Sequence, residues 1–170
     1  MAKPEDRTAH LVIRMAIQVS SQAPDFTLLT DAGEKLTLSS LRGKKVVLYF
    51  YPKADTPGCT VEACSFRDDF PHIEAANTVL LGVSPDKPEA LAKFKTKFDL
   101  PFTLLSDIEH AVSEQYGVWA EKTNYGKKYM GIERTTFVIG PDGKIAKLFP
   151  KVKVDGHSAA VLAALAEIQG

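Results

Sequence analysis

The sequence predicts an α/β fold, with one mixed central sheet flanked by helices and led by an N-terminal β-hairpin. Two strongly apolar runs, residues 46–51 and 77–84, are rich in branched and aromatic side chains and read as buried strands. The segment between them is long enough for a crossover helix, so the two strands form a parallel βαβ unit of right-handed sense. Turn signals at Asp31-Ala32-Gly33 and Gly140-Pro141-Asp142-Gly143 sit between alternating segments, predicting antiparallel hairpins near both ends of the chain.

The remaining elements follow in order. Residues 1–16 are mostly polar, and the short apolar patch Leu11-Val12-Ile13 stops at Arg14, too short for a signal-peptide core or a membrane span. They are expected to be a flexible extension, with residues 17–170 as one domain. Residues 39–45 read as a connecting turn whose Gly43-Lys44 lacks the upstream glycine of a phosphate-binding loop. Leu91, Phe94 and Phe98 mark the apolar face of a helix over residues 88–98, its lysines a solvated face. Residues 102–105 read as a short strand. Residues 108–116 follow as a short helix capped by Ser106 or Asp107 and ended by Gly117. Residues 121–129 are the least regular, with Trp119, Tyr125 and Tyr129 read as anchors of a loop. Val161, Leu162, Leu165 and Ile168 form the buried stripe of a C-terminal helix capped near Asp155 or Ser158.

The totals exclude several functions. Lys plus Arg and Asp plus Glu are 21 each, so no charge surplus points to nucleic acid or an anionic membrane. The four histidines (His10, His72, His110, His157) are scattered and give no zinc-ligand spacing with the two cysteines, so neither metal nor cofactor is expected. Two cysteines without a secretory signal argue for a reducing, cytoplasmic setting.

Both cysteines fall just after the first buried strand, in Pro52-Lys53-Ala54-Asp55-Thr56-Pro57-Gly58-Cys59-Thr60-Val61-Glu62-Ala63-Cys64. Thr56 as N-cap makes Pro57 the first helical residue and puts Cys59 at the third, where a capping box would carry a carboxylate. A thiol of ordinary acidity is only about 3% thiolate at pH 7, and the thiolate is the nucleophile. Free backbone N–H groups and the positive helix end favour that anion. With residues 57 to about 70 read as helical, Cys59 and Cys64 lie about 140° apart around the axis, with Cα atoms about 8.7 Å apart. A disulfide needs less than about 7 Å. Either the pair never bonds, or the first turns unwind to let it.

A reactive cysteine at this strand–helix junction is the arrangement of thioredoxin-like folds, although the Cys-x-x-Cys pair of disulfide reductases is absent. The stretch from Pro52 through Thr56 to Cys59 resembles the Pro-x-x-x-Thr-x-x-Cys motif of peroxiredoxins. Cys64 adds a likeness to the bacterioferritin-comigratory-protein (PrxQ) branch. Ala23-Pro24-Asp25-Phe26, Tyr116-Gly117-Val118-Trp119 and Gly131-Ile132-Glu133-Arg134-Thr135-Thr136-Phe137 fit the same branch.

The resemblance implies a thiol peroxidase acting on hydrogen peroxide and organic hydroperoxides. Cys59 would be the peroxidatic cysteine and pass through a sulfenic acid. Thr56 would hydrogen-bond thiolate and peroxide, Pro52 would shield the sulfenate, and Arg134 would supply positive charge. Cys64 would resolve the sulfenate as an intramolecular disulfide, reduced by thioredoxin or a similar dithiol. A monomer is expected. The Gly-Gly-Leu-Gly and C-terminal Tyr-Phe elements of relatives sensitive to over-oxidation are missing, which implies resistance to sulfinic acid formation.

Two other readings use the same residues. A redox sensor would pass its oxidised state to a partner protein, and need not consume peroxide quickly. A general thiol oxidoreductase, or a structural domain with incidental cysteines, would react slowly at Cys59.

Overall fold

The computed structural model describes residues 17–168, so the expected extension over residues 1–16 lies outside the described residues. Its centre is β3 (Lys45–Phe50), in which every residue is buried. Side chains alternate across a strand, so β3 feeds two cores. Val46, Leu48 and Phe50 enter one, while Val47, Tyr49 and, just beyond the strand, Tyr51 enter the other. That double burial is why the run reads as continuously apolar.

Seven strands form the main sheet in the order β2-β1-β5-β4-β3-β8-β9. β3 pairs in parallel with β4 (Thr78–Ser84), and β4 in parallel with β5 (Thr103–Ser106). The hairpin of β1 (Thr27–Thr30) and β2 (Lys35–Thr37) adds antiparallel strands at one edge. β8 (Thr135–Ile139) and β9 (Ile145–Phe149) close the other edge, joined through Gly143, whose φ of +82° needs a glycine. The expected mixed α/β sheet is therefore present.

Helices α1 (Pro57–Ala75), α2 (Pro88–Phe98) and α4 (His157–Ala166) cover one face. The other face is covered by the short α3 (Ala111–Gln115), a 3-10 turn over Leu38–Leu41 and the N-terminal segment. Among the described residues, no helix is long and apolar enough to cross a membrane.

Four local expectations are corrected. α1 does not end near residue 70 but runs through Pro71 to Ala75. Ile73 beyond the proline is fully buried, and that burial offsets the one hydrogen bond proline removes. α3 is shorter than residues 108–116. Asp107 still serves it as an acceptor, taking bonds from Val112 N at 3.2 Å and from Ser113 N and Oγ at 2.7 Å. α4 is capped by neither Asp155 nor Ser158. It follows Gly156 at φ +72°, and the Ser158 hydroxyl donates to Asp69 of α1 at 2.6 Å.

The fourth correction is the largest. The presumed irregular loop is a two-stranded antiparallel hairpin, β6 (Trp119–Asn124) and β7 (Lys127–Ile132). Its two-residue turn, Tyr125-Gly126, has φ of +52° and +77°, the conformation that matches strand twist. Tyr125 is 99% exposed and Tyr129 is also exposed, so neither is buried as an anchor of the loop would be. Only Trp119 packs, stacked on His110 with ring centroids 4.0 Å apart.

Candidate active site

The site forms where β3 ends and α1 begins. Thr56 holds the extended cap conformation, Pro57 opens the helix, and Cys59 sits at its third position, as the sequence predicts. Thr60 N–H makes the helix's first bond, to the Thr56 carbonyl at 2.8 Å. The N–H groups of Gly58 and Cys59 therefore lack intrahelical acceptors and point their positive ends toward the thiol's surroundings. Cys59 is buried, only 2% exposed, and packs in the core beneath α1 and α2.

The loop before the helix is held from two sides. Ala54 N–H donates to Asp86 Oδ2 at 2.7 Å, and the same oxygen accepts from Ser84 Oγ at 2.7 Å. Asp55 takes a left-handed φ of +59°, which a short polar residue tolerates, and pairs with Lys97 at 2.8 Å.

Arg134 joins the cluster from the start of β8. Its Nη2 donates to Cys59 Sγ at 3.3 Å, and its Nη1 donates to Glu62 Oε1 at 2.7 Å. A planar guanidinium can serve both because its donors diverge in a fixed fork. Glu62 and Cys59 raise the Arg134 pKa against the opposing effect of burial, so its charge is secure. Glu62 is itself buried, which pushes its carboxyl up to about 7 while Arg134 pulls it back. Nearby on β6, burial and the Arg134 charge lower the pKa of Lys122.

Of the five residues the sequence singled out, Cys59 and Arg134 are in direct contact. Cys64 lies half-buried farther along α1, and both thiols are free. Arg67, tied to Asp68 at 3.0 Å and to the Phe98 carbonyl at 2.9 Å, stands within electrostatic reach of Cys64. The Thr56 hydroxyl donates to the Lys53 carbonyl at 2.8 Å rather than to the Cys59 sulfur. Pro52 is half-buried at the exit of β3. Sequence reasoning passed over Glu62, Gly58 and Asp86. Glu62 did carry a signal, since it stands three residues after Cys59 and so shares its helix face.

This arrangement can stabilise negative charge on a buried sulfur and on an oxygen beside it. Among the described residues, no group of three or more His, Cys, Asp or Glu could hold a metal ion.

Comparison with known proteins agrees with this chemistry. Residues 19–148 match the AhpC/TSA family. A Coxiella burnetii protein that carries the name peroxiredoxin bcp is 58% identical over 151 residues, spanning 89% of this chain and 100% of that protein. Peroxiredoxin Bcp of Bacillus subtilis is 49% identical over 154 residues, spanning 91% and 98%. Among solved structures, a Xanthomonas campestris bacterioferritin comigratory protein, studied for its alkyl peroxide reduction activity, superposes with a TM-score of 0.79 at 40% identity. It covers 83% of this chain and 90% of that one. The likeness in fold and sequence spans both strand β3 and the cysteine helix, and the chain belongs to the AhpC/TSA family as a peroxiredoxin of the Bcp/PrxQ type, a thiol peroxidase with a thioredoxin-like fold.

Proposed function

We propose that the protein reduces hydrogen peroxide and organic hydroperoxides through a Cys59 sulfenic acid and a Cys59–Cys64 disulfide, with thioredoxin or a similar dithiol as final reductant. The observation that carries this reading is the 3.3 Å contact between Arg134 Nη2 and Cys59 Sγ at the helix start. The Cys59 thiolate attacks one peroxide oxygen; an S–O bond forms and the O–O bond breaks. Charge builds on the departing oxygen, which the guanidinium and the free N–H groups of the first turn stabilise before it takes a proton. Thr56 turns its hydroxyl from Lys53 toward the incoming peroxide, and Pro52 shields the sulfur from water.

Resolution follows. The Cys64 thiol gives up its proton and attacks the sulfenic sulfur; an S–S bond forms, the S–O bond breaks, and the departing hydroxide takes up that proton to leave as water. Helical geometry keeps the two cysteines too far apart, so the helix between them must first unwind. A helix start of Thr-Pro-Gly, with little propensity of its own, supports that opening. The external dithiol then reduces the bridge by thiol–disulfide exchange. Alkyl peroxide reduction by the Xanthomonas campestris relative supports the organic substrates. The protein acts as a monomer in the cytoplasm, where reduced dithiols are available.

Mass spectrometry after one equivalent of peroxide tests the mechanism on wild type and Cys64→Ser. The expected result is loss of two hydrogens in the first and an oxygenated Cys59 in the second. Cys59 left unoxidised in both would sink it. The relatives do not favour the sensor reading, and sustained peroxide consumption with a dithiol separates the two.

A further inference from the structure

Glu62 lies between the two cysteines on α1 and is only 1% exposed. Oε1 is bonded to Arg134, but Oε2, equally buried, has no hydrogen-bond partner among the described residues. The groups that face it come from three elements. Arg134 approaches from β8. The phenols of Tyr49 and Tyr51 approach from the β3 side, and among the described residues their hydroxyls also lack partners. Cys59 shares the helix. Beyond Arg134 stand His157 of α4 and Lys122 of β6, which feel the guanidinium rather than Glu62. Thus a single guanidinium serves both Glu62 and Cys59, and one carboxyl oxygen of Glu62 is desolvated without a compensating hydrogen bond.

We propose that Glu62 is a positioning residue of the disulfide-forming step, because unwinding the helix between Cys59 and Cys64 carries its carboxyl from the protein interior into water and releases its proton. The proposal rests on the Cys59–Cys64 reading above. Burial lifts the Glu62 carboxyl to about 7 in the folded helix, against an ordinary value of 4.5 once solvated. Between those values the folded helix holds a proton that the unwound segment has lost. Stability of the folded helix is therefore greatest at low pH and falls as pH rises through that window. Raising the pH from 5 to 7 favours opening by roughly tenfold or more. The proton goes to solvent and returns on refolding, so the overall conversion of sulfenic acid and thiol to disulfide and water stays balanced.

The test is hydrogen exchange of the reduced protein, without peroxide, at pH 5 and pH 7, corrected for the intrinsic pH dependence of exchange. The amides of residues 60–64, the first to be hydrogen-bonded within the helix, report opening, and those of α2 serve as the internal control. The expected result is about tenfold more opening at pH 7 in wild type, less than about twofold change in Glu62→Gln, and no change in α2. A pH-independent opening constant in wild type would overturn the proposal, and that arm stands even where the variant fails to fold. An equal pH response in Glu62→Gln would overturn it as well. Failure of the disulfide reading looks different: Cys59 oxidises under peroxide without joining Cys64, which removes the step assigned to Glu62 whatever the exchange data show.

Discussion

A β-carbon placed on Gly58 would stand 3.2 Å from Arg134 Nη2, closer than side chains normally approach. The absence of a side chain at the second helical residue thus lets the guanidinium come close to the turn that carries Cys59. Gly58→Ala is expected to displace that group by a few tenths of an ångström, since its other branch is pinned to Glu62. The expected cost is about tenfold in the second-order rate with peroxide, because small misplacements weaken transition-state contacts steeply. Stability should hold or rise by up to about 1 kcal/mol, since alanine is the better helix former. Stopped-flow kinetics and a thermal melt on the same variant check both halves.

Arg134→Lys keeps the charge and loses the fork. A lysine ammonium is a point donor and cannot hold Cys59 and Glu62 at once. The peroxide rate is expected to fall roughly 100-fold while the fold remains, in line with removal of one preorganised donor. A rate within about threefold of wild type would show that bulk positive charge, not forked geometry, is what the site uses.

Gly82, on β4 beside Tyr49, is crowded in a different way. A β-carbon there would meet Tyr49 Cζ at 2.8 Å, its hydroxyl at 2.9 Å and Leu104 Cδ2 at 3.0 Å. Tyr49 is 1% exposed and has no room to retreat. Gly82→Ala is therefore expected to destabilise the protein by about 2 kcal/mol through overpacking, read from the urea midpoint.

His157 supplies a pH dependence of opposite sign to that of Glu62. Its Nε2 lies 2.8 Å from Thr136 Oγ1, and its ring packs edge-on against Phe66 and Phe149. Burial first, then the Arg134 charge, lower its pKa from 6.5 to about 4. Below pH 6.5 the unfolded chain binds a proton that the folded one refuses. Stability from this group is complete at pH 7 and is lost as pH falls toward 4, on the order of 2 kcal/mol. Glu62 partly masks the effect in wild type, so the difference between wild type and His157→Gln, followed by urea unfolding at pH 7 and 4.5, isolates it.

Much of this molecule is legible where its physics is local. The buried run of β3, the Thr56-Pro57 helix start and the glycine turn at residues 140–143 all follow from side-chain type and short-range backbone preference. The β6–β7 hairpin escaped because most of its side chains are exposed on both faces, so no apolar alternation marks its strands. Its one local signal was Tyr125-Gly126, a dipeptide suited to a tight turn. The run of α1 past Pro71 escaped because the burial of Ile73 is decided by the sheet beneath it, not by the helix.

The sequence by itself determined that Cys59 stands at the third helical position, and that an intact helix cannot bridge it to Cys64. Both follow from the backbone repeat, which depends on no distant residue. The family resemblance named Arg134 as the cation, but only the tertiary structure decided how it reaches the sulfur. β3 and β8 are antiparallel neighbours with Phe50 opposite Thr135, so the start of β8 lies against the end of β3, where the cysteine helix begins. That register brings Arg134 to Cys59 and to Glu62 across 75 and 72 residues of chain, and seals a carboxyl between the two cysteines. Strand pairing is a property of the whole sheet, and no local pattern in the sequence encodes it.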